Sequence, residues 1–465
     1  MAMSFEPIGL TPLDHATAKL YVPYVLIFNT TDSQTAVQTL QNGINKLVAQ
    51  VPWLAGDIVT HTHPVLRGFI HPPRVPVNEV QMLSVRHFDR DEDCWENLPS
   101  EYLPLPGFVP AAKQRAVLRL QANISPSKIV ITFQWLHLVF DGSGAGTLLE
   151  ALAECCRAAM DELVDTPITR TVAATAIAQR QEVSTWASKG KTRDCHDIEF
   201  GPPLFDCNIS SEQWAAMESA MRCATSTYKV TICPTKLATL KATCTKLLPQ
   251  LPEACESSFF SSGDIIAAVV SIAMDRIMYA EPADPENPRR ALIAVDLRRR
   301  INPPLLDTYL GNMIHAARSR IDCGQARDMQ NQDSDTDLLH AAQLALQIRT
   351  QISLHMNEQT AYSCCARVAH NRNWYATERK SATVLFSSWR HLKCYALDFG
   401  PGLGYIDDFQ PGFALIPGVC IVLPQRVKQM DSTAPVPWEV TVTLPVGQDE
   451  ALRKDPLLRQ ILECA

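Results

Sequence analysis

The chain has 465 residues, 46% of them hydrophobic and 20% charged, with a formal net charge of −7. That is an ordinary globular composition, too long for a single core. The mildly acidic balance and the lack of any long Lys/Arg run exclude nucleic acid as the main partner. The fifteen cysteines are odd in number and scattered, with two adjacent pairs at Cys155-Cys156 and Cys364-Cys365 and no C-x-x-C. They read as reduced, mostly buried thiols and not as a disulfide framework.

The first residues, Met1 to Pro7, have neither a basic nor an apolar region of a signal peptide. The early apolar stretch Tyr21 to Phe28 is too short to span a bilayer and contains Pro23. A cytoplasmic protein is expected. Residues 20–29 read as a strand. Ala36 to Val48 reads as a helix with its stripe at Val37, Leu40, Ile44, Leu47 and Val48. Residues 53–120 suggest short strands and loops. Ala116 to Gln121 and Lys128 to Trp135 alternate as strands of one sheet, and a helix is expected from about Thr147 to Leu163.

After a weakly patterned stretch at 165–225, Thr227 to Ile232 reads as a strand, and Lys236 to Leu248 and Gly263 to Met278 as helices. Ala291 to Leu297 reads as a strand followed by the loop Ile301-Asn302-Pro303-Pro304, and Asp337 to Leu354 as a helix. Trp438 to Leu444 closes as a strand and Glu450 to Leu462 as a helix. Strands and helices interleave in both halves, which predicts a mixed α/β fold of two sheet-and-helix domains.

The pattern H-x-x-x-D occurs twice. His87 to Asp91 lies in a run of charges (Arg86, Asp89, Arg90, Glu92, Asp93) and reads as a solvated loop. His137 to Asp141 follows an apolar strand and precedes Gly142-Ser143-Gly144-Ala145-Gly146. A strand delivers the imidazole to a sheet edge, Leu138-Val139-Phe140 pack inward, and Asp141 turns away. The glycines are expected to bend the chain sharply and leave room for a ligand. An imidazole of pKa about 6.5 accepts protons near neutrality, and a general base of this kind is typically worth about 10²–10⁴-fold in rate.

Rival motifs fit less well. Gly142-x-Gly144-x-Gly146 has its third glycine one place early for a dinucleotide fingerprint, and the acidic residue twenty places on, Asp161, lies in a helical stretch. Ser143 lacks the glycine two positions earlier that a hydrolase elbow needs. His61-x-His63 with His71 reads as a loop without a nearby cysteine or carboxylate cluster, so no metal site is expected.

With HLVFDG in place, the chain resembles the BAHD acyltransferase superfamily, especially its fungal members acting on secondary metabolites. The matching pieces run in family order. They are Leu10-Thr11-Pro12-Leu13-Asp14, Leu47 to Gly56, Asp296 to Pro304 with Gly311-Asn312, Ser387-Ser388-Trp389, Asp398-Phe399-Gly400-Pro401-Gly402, Trp438 to Leu444 and Asp455-Pro456. Pro401 stands where the family's DFGWG has tryptophan.

The resemblance implies two chloramphenicol-acetyltransferase-like domains with a solvent channel between them. The first would comprise residues 1–205 and about 398–424, the second 226–397 and 425–465, with a crossover at 206–225. It implies His137 as general base and Asp141 paired with Arg298 or Arg300 to hold the loop that includes Gly142. Trp389 and Ser387 match oxyanion donors, although core packing reads Trp389 equally well. Asp398, Gly400 and Gly402 would be structural. Ser261 and Ser262, at a helix start, read as an N-cap or as a contact to a CoA phosphate.

The implied reaction is acyl transfer, acetyl in the first instance, from acyl-CoA to a small-molecule alcohol or amine. It would run in a ternary complex on a monomer, with no permanently bound cofactor, metal, nucleic acid or membrane. Two alternatives stay open. A condensation-type enzyme using carrier-bound acyl groups would normally show a second histidine where Leu136 stands. A repurposed metabolite-binding fold would have no use for His137.

Overall fold

The computed structural model describes residues 4–463 apart from 92–97, 159–166, 196–197, 201–209, 280, 282–283, 285, 322–333, 381, 413–415 and 428–434. The fold is mixed α/β, built on two large sheets. The first has five strands in the order Asp408–Gln410, Tyr21–Asn29, Lys128–Leu136, Leu118–Ile124, Leu83–His87. The second has six, in the order Thr225–Ile232, Trp438–Pro445, Val419–Val422, Val384–Ser388, Arg290–Asp296, Ile314–Arg320. Each sheet packs with its helices into its own large apolar cluster.

The strand Tyr21–Asn29 is buried at every position but its last, and it has an almost wholly buried partner in Lys128–Leu136. A strand covered on both faces reads as an unbroken apolar run, which is why both were visible in the sequence. They pair antiparallel from Tyr21 opposite Leu136 to Asn29 opposite Lys128. One more bond, His137 N–H to the Leu20 carbonyl at 2.9 Å, carries the ladder to the catalytic candidate. In the second sheet, Arg290–Asp296 runs antiparallel to Ile314–Arg320, pairing Asp296 with Ile314. The connection between these strands, residues 297–313, reaches the turn after Leu136 in the first sheet.

Several boundaries differ from expectation. The helix expected from Thr147 begins at Gly142 and runs to Arg157; residues 159–163 of that expectation lie outside the described ones. Of the expected crossover, 206–209 lie outside the described residues, and most of the rest is the helix Ser211–Ala224. Val183, Trp186 and Ile198 pack in the second cluster although they precede residue 205, and Leu13 and Ala16 join them. The return to the first sheet is shorter than 398–424: Asp408–Gln410 pairs there, whereas Val419–Val422 lies inside the second sheet. The closing helix stops at Lys454, because Pro456 has no N–H to continue it. His61 and His71 stand on paired strands, Asp57–His61 and Arg67–His71, and not in a loop.

Candidate active site

His137 is the first residue beyond its strand, and the turn it opens is tied down atom by atom. Leu138, Val139 and Phe140 have no exposed surface, and Asp141 is equally buried. The Val139 carbonyl accepts from Arg180 Nη2 and the Phe140 carbonyl from Trp135 Nε1. The Asp141 carbonyl accepts from Ala145 N–H, and the Gly142 carbonyl from Tyr24 Oη at 2.8 Å. A buried turn with its carbonyls taken in this way has little freedom to move.

Asp141 carries two loads. As N-cap of the helix Gly142–Arg157 it accepts from Gly144 N–H at 2.8 Å. It also receives both Arg298 nitrogens, Nη1 at 2.9 Å and Nη2 at 2.8 Å, and Met313 N–H at 2.8 Å. Arg298 is 2% exposed and also donates to the Tyr309 and Gly311 carbonyls and to Asp296. Burial alone would lower its pKa, but Asp141 and Asp296 outweigh burial and hold it above the usual arginine range. Of the two candidate arginines, then, Arg298 pairs with Asp141. Arg300 points elsewhere, toward the Ile352 carbonyl at 3.5 Å.

The glycines serve close packing rather than a bend. A Cβ at Gly144 would come within 2.4 Å of the Leu310 carbonyl oxygen, and one at Gly146 within 2.5 Å of Leu392. A Cβ at Gly142 would lie 3.1 Å from Trp389 Nε1 and 3.2 Å from Tyr24 Oη. The helix start is thus pressed against both halves of the chain, and the Trp389 indole N–H lies over the residue after Asp141. Trp389 is 8% exposed and edge-on to Tyr24 at 5.1 Å. Ser387 lies on the same strand end, half-buried and paired with Ile421.

His137 is partly exposed as a residue, yet its Nδ1 is buried. No neighbour makes a full hydrogen bond to Nδ1. The ring touches the carbonyl of its own residue and the Asn312 amide. Only Nδ1 can reach its own residue's carbonyl, and a proton on that edge would leave Nε2 with its lone pair. Among the described residues, neither His137 Nε2 nor Trp389 Nε1 has a hydrogen-bond partner. Burial lowers the His137 pKa below its usual value, opposed by its own carbonyl, Asp141 and Asn312 and helped by Arg379. A neutral imidazole is the form this site favours.

The other expected residues are distributed as follows. Asp398, Gly400 and Gly402 lie at the far end of the helix Gly142–Arg157, about 24 Å from Asp141 at 1.5 Å per residue. There Arg157 donates to the Asp398 carbonyl and Gly400 N–H to the Asp398 side chain. Gly402, at φ +77°, passes within 2.5 Å of the Ala36 nitrogen when given a Cβ, so only glycine fits. Ser261 caps the helix Ser262–Met278 by accepting from Asp264 N–H, and it also accepts from Arg349 Nη2. Its lone pairs are used inside the cap, as the plain N-cap reading has it. His61 and His71 approach with their Nε2 atoms 2.7 Å apart, and among the described residues no group of three ligating side chains forms.

The sequence reading missed the second support of the turn. Asn312 Nδ2 donates to the His137 carbonyl at 2.9 Å and to Asp14 Oδ1 at 3.0 Å. Asp14 is fully buried and pairs with Arg180 at 2.6 Å. The signal was present: Arg180 interrupts the apolar stripe Val172, Ala176, Val183 of its helix, and a cation on a buried stripe demands a buried anion. A polar group of Ser143, Asp296 and His391 was also missed, with Ser143 Oγ 3.0 Å from Asp296 and 3.1 Å from His391 Nε2.

A family model described as the Transferase family matches residues 273–456. Communesin N16 acyltransferase of Penicillium expansum is 30% identical, over 99% of this chain and 99% of its own. Fumigaclavine B O-acetyltransferase of Aspergillus fumigatus is 27% identical, over 95% and 94%. The crystal structure of F. graminearum TRI101 complexed with coenzyme A and deoxynivalenol superposes with a TM-score of 0.73 at 18% identity, covering 99% of both chains. That of vinorine synthase gives 0.61 at 16%, covering 99% and 95%. An end-to-end relative at 30% identity, on a fold shared with these structures, shows that the chain belongs to the BAHD-type transferase family and is an acyltransferase.

Proposed function

We propose that the chain transfers an acyl group, acetyl first, from acyl-CoA to a hydroxyl of a secondary metabolite, with His137 as general base. Both substrates meet at His137 in a channel between the two halves. His137 Nε2 takes the acceptor proton as its oxygen attacks the thioester carbonyl. The tetrahedral oxyanion is held by Trp389 Nε1–H and the Ser387 hydroxyl. Collapse breaks the C–S bond, and the departing thiolate of CoA takes the proton back from Nε2. No bond to the enzyme forms.

The observation that carries this reading is the His137 ring itself: its Nδ1 edge is buried, while among the described residues Nε2 meets no protein partner. An oxyanion donor in a water-poor site is typically worth about 10²–10³-fold, and fixing both reactants supplies the entropic share of the rate. CoA as acyl donor is supported by the TRI101 structures, which hold CoA together with deoxynivalenol or T-2. An amine acceptor is the second reading. It is favoured by the name of the Penicillium relative, an N16 acyltransferase, whereas the Aspergillus relative is named for an O-acetyl transfer.

The test is purified protein with acetyl-CoA and candidate acceptors, beginning with fumigaclavine B. Mass spectrometry follows acylated product and free CoA. Product that depends on His137 supports the reading. Undiminished product from His137→Ala, or transfer only from carrier-bound donors, overturns it.

A further inference from the structure

The second support of the turn consists of groups whose donor and acceptor roles leave little choice. An ionised carboxylate only accepts, and so does a main-chain carbonyl. Asn312 faces one of each, Asp14 Oδ1 at 3.0 Å and the His137 carbonyl at 2.9 Å, so its amide must present the NH₂ group to both. Its backbone N–H donates to the same Asp14 oxygen at 3.0 Å. The amide oxygen is thereby turned to the other side. Asn312 Oδ1 is buried without a full hydrogen bond, as is His137 Nδ1, and the ring and this amide are in contact. Both atoms are buried and unfilled, and a proton on Nδ1 is the one that could serve both.

Asp14 is in turn fixed by neighbours that only donate. Its Oδ2 accepts from Thr11 N–H at 2.8 Å and from Arg180 Nη1 at 2.6 Å. Arg180 spans both ends of the turn, because its other terminal nitrogen donates to the Val139 carbonyl. Thr17 Oγ1 adds a longer contact to the His137 carbonyl at 3.3 Å. Arg180 and Asp14 are both buried, at 2% and 0% exposed. The charges that face the ring itself belong to Asp141 and Arg379, so the ion pair acts on His137 only through Asn312 and the main chain.

We propose that Asp14 and Arg180 are positioning residues: by fixing the Asn312 amide and the His137 carbonyl they hold the His137 proton on Nδ1 and present Nε2 as the base. The inference rests on the reading of His137 as general base. Removing the pair together avoids stranding one buried charge, so the variant of choice is the double Asp14→Asn/Arg180→Met. It is compared with Arg180→Lys, which keeps the charge but cannot reach Asp14 and Val139 at once.

Two readouts are taken on protein whose circular dichroism and thermal midpoint show it folded. The first is steady-state kinetics with acetyl-CoA, with fumigaclavine B or water as acceptor. The second is the tautomer of His137 from nitrogen-15 histidine spectra, assigned with His137→Ala. The double variant is expected to lose tenfold or more in kcat, to keep KM for acetyl-CoA within twofold, and to show Nε2–H alongside Nδ1–H. Arg180→Lys is expected to fall between it and the wild type. Wild-type kcat with an unchanged tautomer, or a rise in KM alone, overturns the inference. Should the double variant not fold, Arg180→Lys decides by the same two criteria. His137→Ala separates the levels: activity that survives it removes the proposed function, whereas activity that needs His137 but ignores the ion pair removes only this inference.

Discussion

The two H-x-x-x-D segments share a spelling and almost nothing else. His87 ends an edge strand with its side chain exposed, and Asp91 accepts from the Ser125 and Ser127 hydroxyls across a hairpin turn at the surface. His137 directly follows the central strand of its sheet, and Asp141 is wholly buried under a bidentate arginine from the other half of the chain. The difference lies in what the rest of the fold has invested around each. In one case a carboxylate tidies a turn that water would also satisfy. In the other it joins a helix start, a sheet connection and the turn that carries His137 into one rigid unit.

That comparison breaks first at the histidines. Substituting alanine at 137 is expected to lower kcat/KM by about 10²–10⁴-fold in the acetyl-CoA assay, while His87→Ala stays within about twofold. The same assay across pH sharpens the contrast. Burial lowers the His137 pKa, so the neutral imidazole persists below pH 6.5. The rate should stay flat through 6.5 and fall only in more acidic buffer, with His87→Ala tracing the same curve.

The partners come next. Arg298→Met leaves Asp141 buried and uncompensated, and about 3–5 kcal/mol of unfolding free energy should be lost in denaturant titration. Asp91→Ala should leave the denaturation midpoint where it is. A glycine beside the His137 turn and one on another helix give a gentler contrast. Gly144→Ala drives a methyl against the Leu310 carbonyl and is expected to cost about 1–3 kcal/mol with a fall in kcat. Gly263→Ala, whose added methyl meets only Ser261 Oγ at 3.6 Å, is expected to be neutral or slightly stabilising.

An acid titration of stability tests buried histidines from another side. His15 donates from Nδ1 to the Thr11 carbonyl and accepts at Nε2 from Gly68 N–H, and burial lowers its pKa to about 3. The folded state keeps it neutral while the unfolded state protonates near 6.5. Its contribution is therefore complete above pH 6.5 and drains away as pH falls toward 3, on the order of 4–5 kcal/mol over the whole window. His15→Gln should flatten that part of the stability curve.

Much of this was readable in the residues, for identifiable reasons. Strands buried on both faces, such as Tyr21–Asn29 and Lys128–Leu136, announce themselves as apolar runs, and His137 to Asp141 stood out by following one of them. The start of the next helix was misjudged because glycine is a poor helix former; close contacts from Leu310 and Leu392 require it at 144 and 146 despite that propensity. The choice between Arg298 and Arg300 could not be made from spacing alone. It depends on a short 3₁₀ turn at Arg298–Arg300 that sends alternate side chains in different directions. The Asp14–Arg180–Asn312 network joins residues nearly three hundred positions apart, and no local pattern reports such a contact.

One feature of the clamp bears on how this enzyme comes into being. Asp141 and the His137 carbonyl are secured by Arg298, Asn312 and Met313, which follow them by more than 150 positions. A nascent chain that has emerged only through residue 290 possesses the histidine but none of these restraints. The same holds for an N-terminal proteolytic fragment. Turnover should therefore appear late, once the second half has been synthesised and has docked.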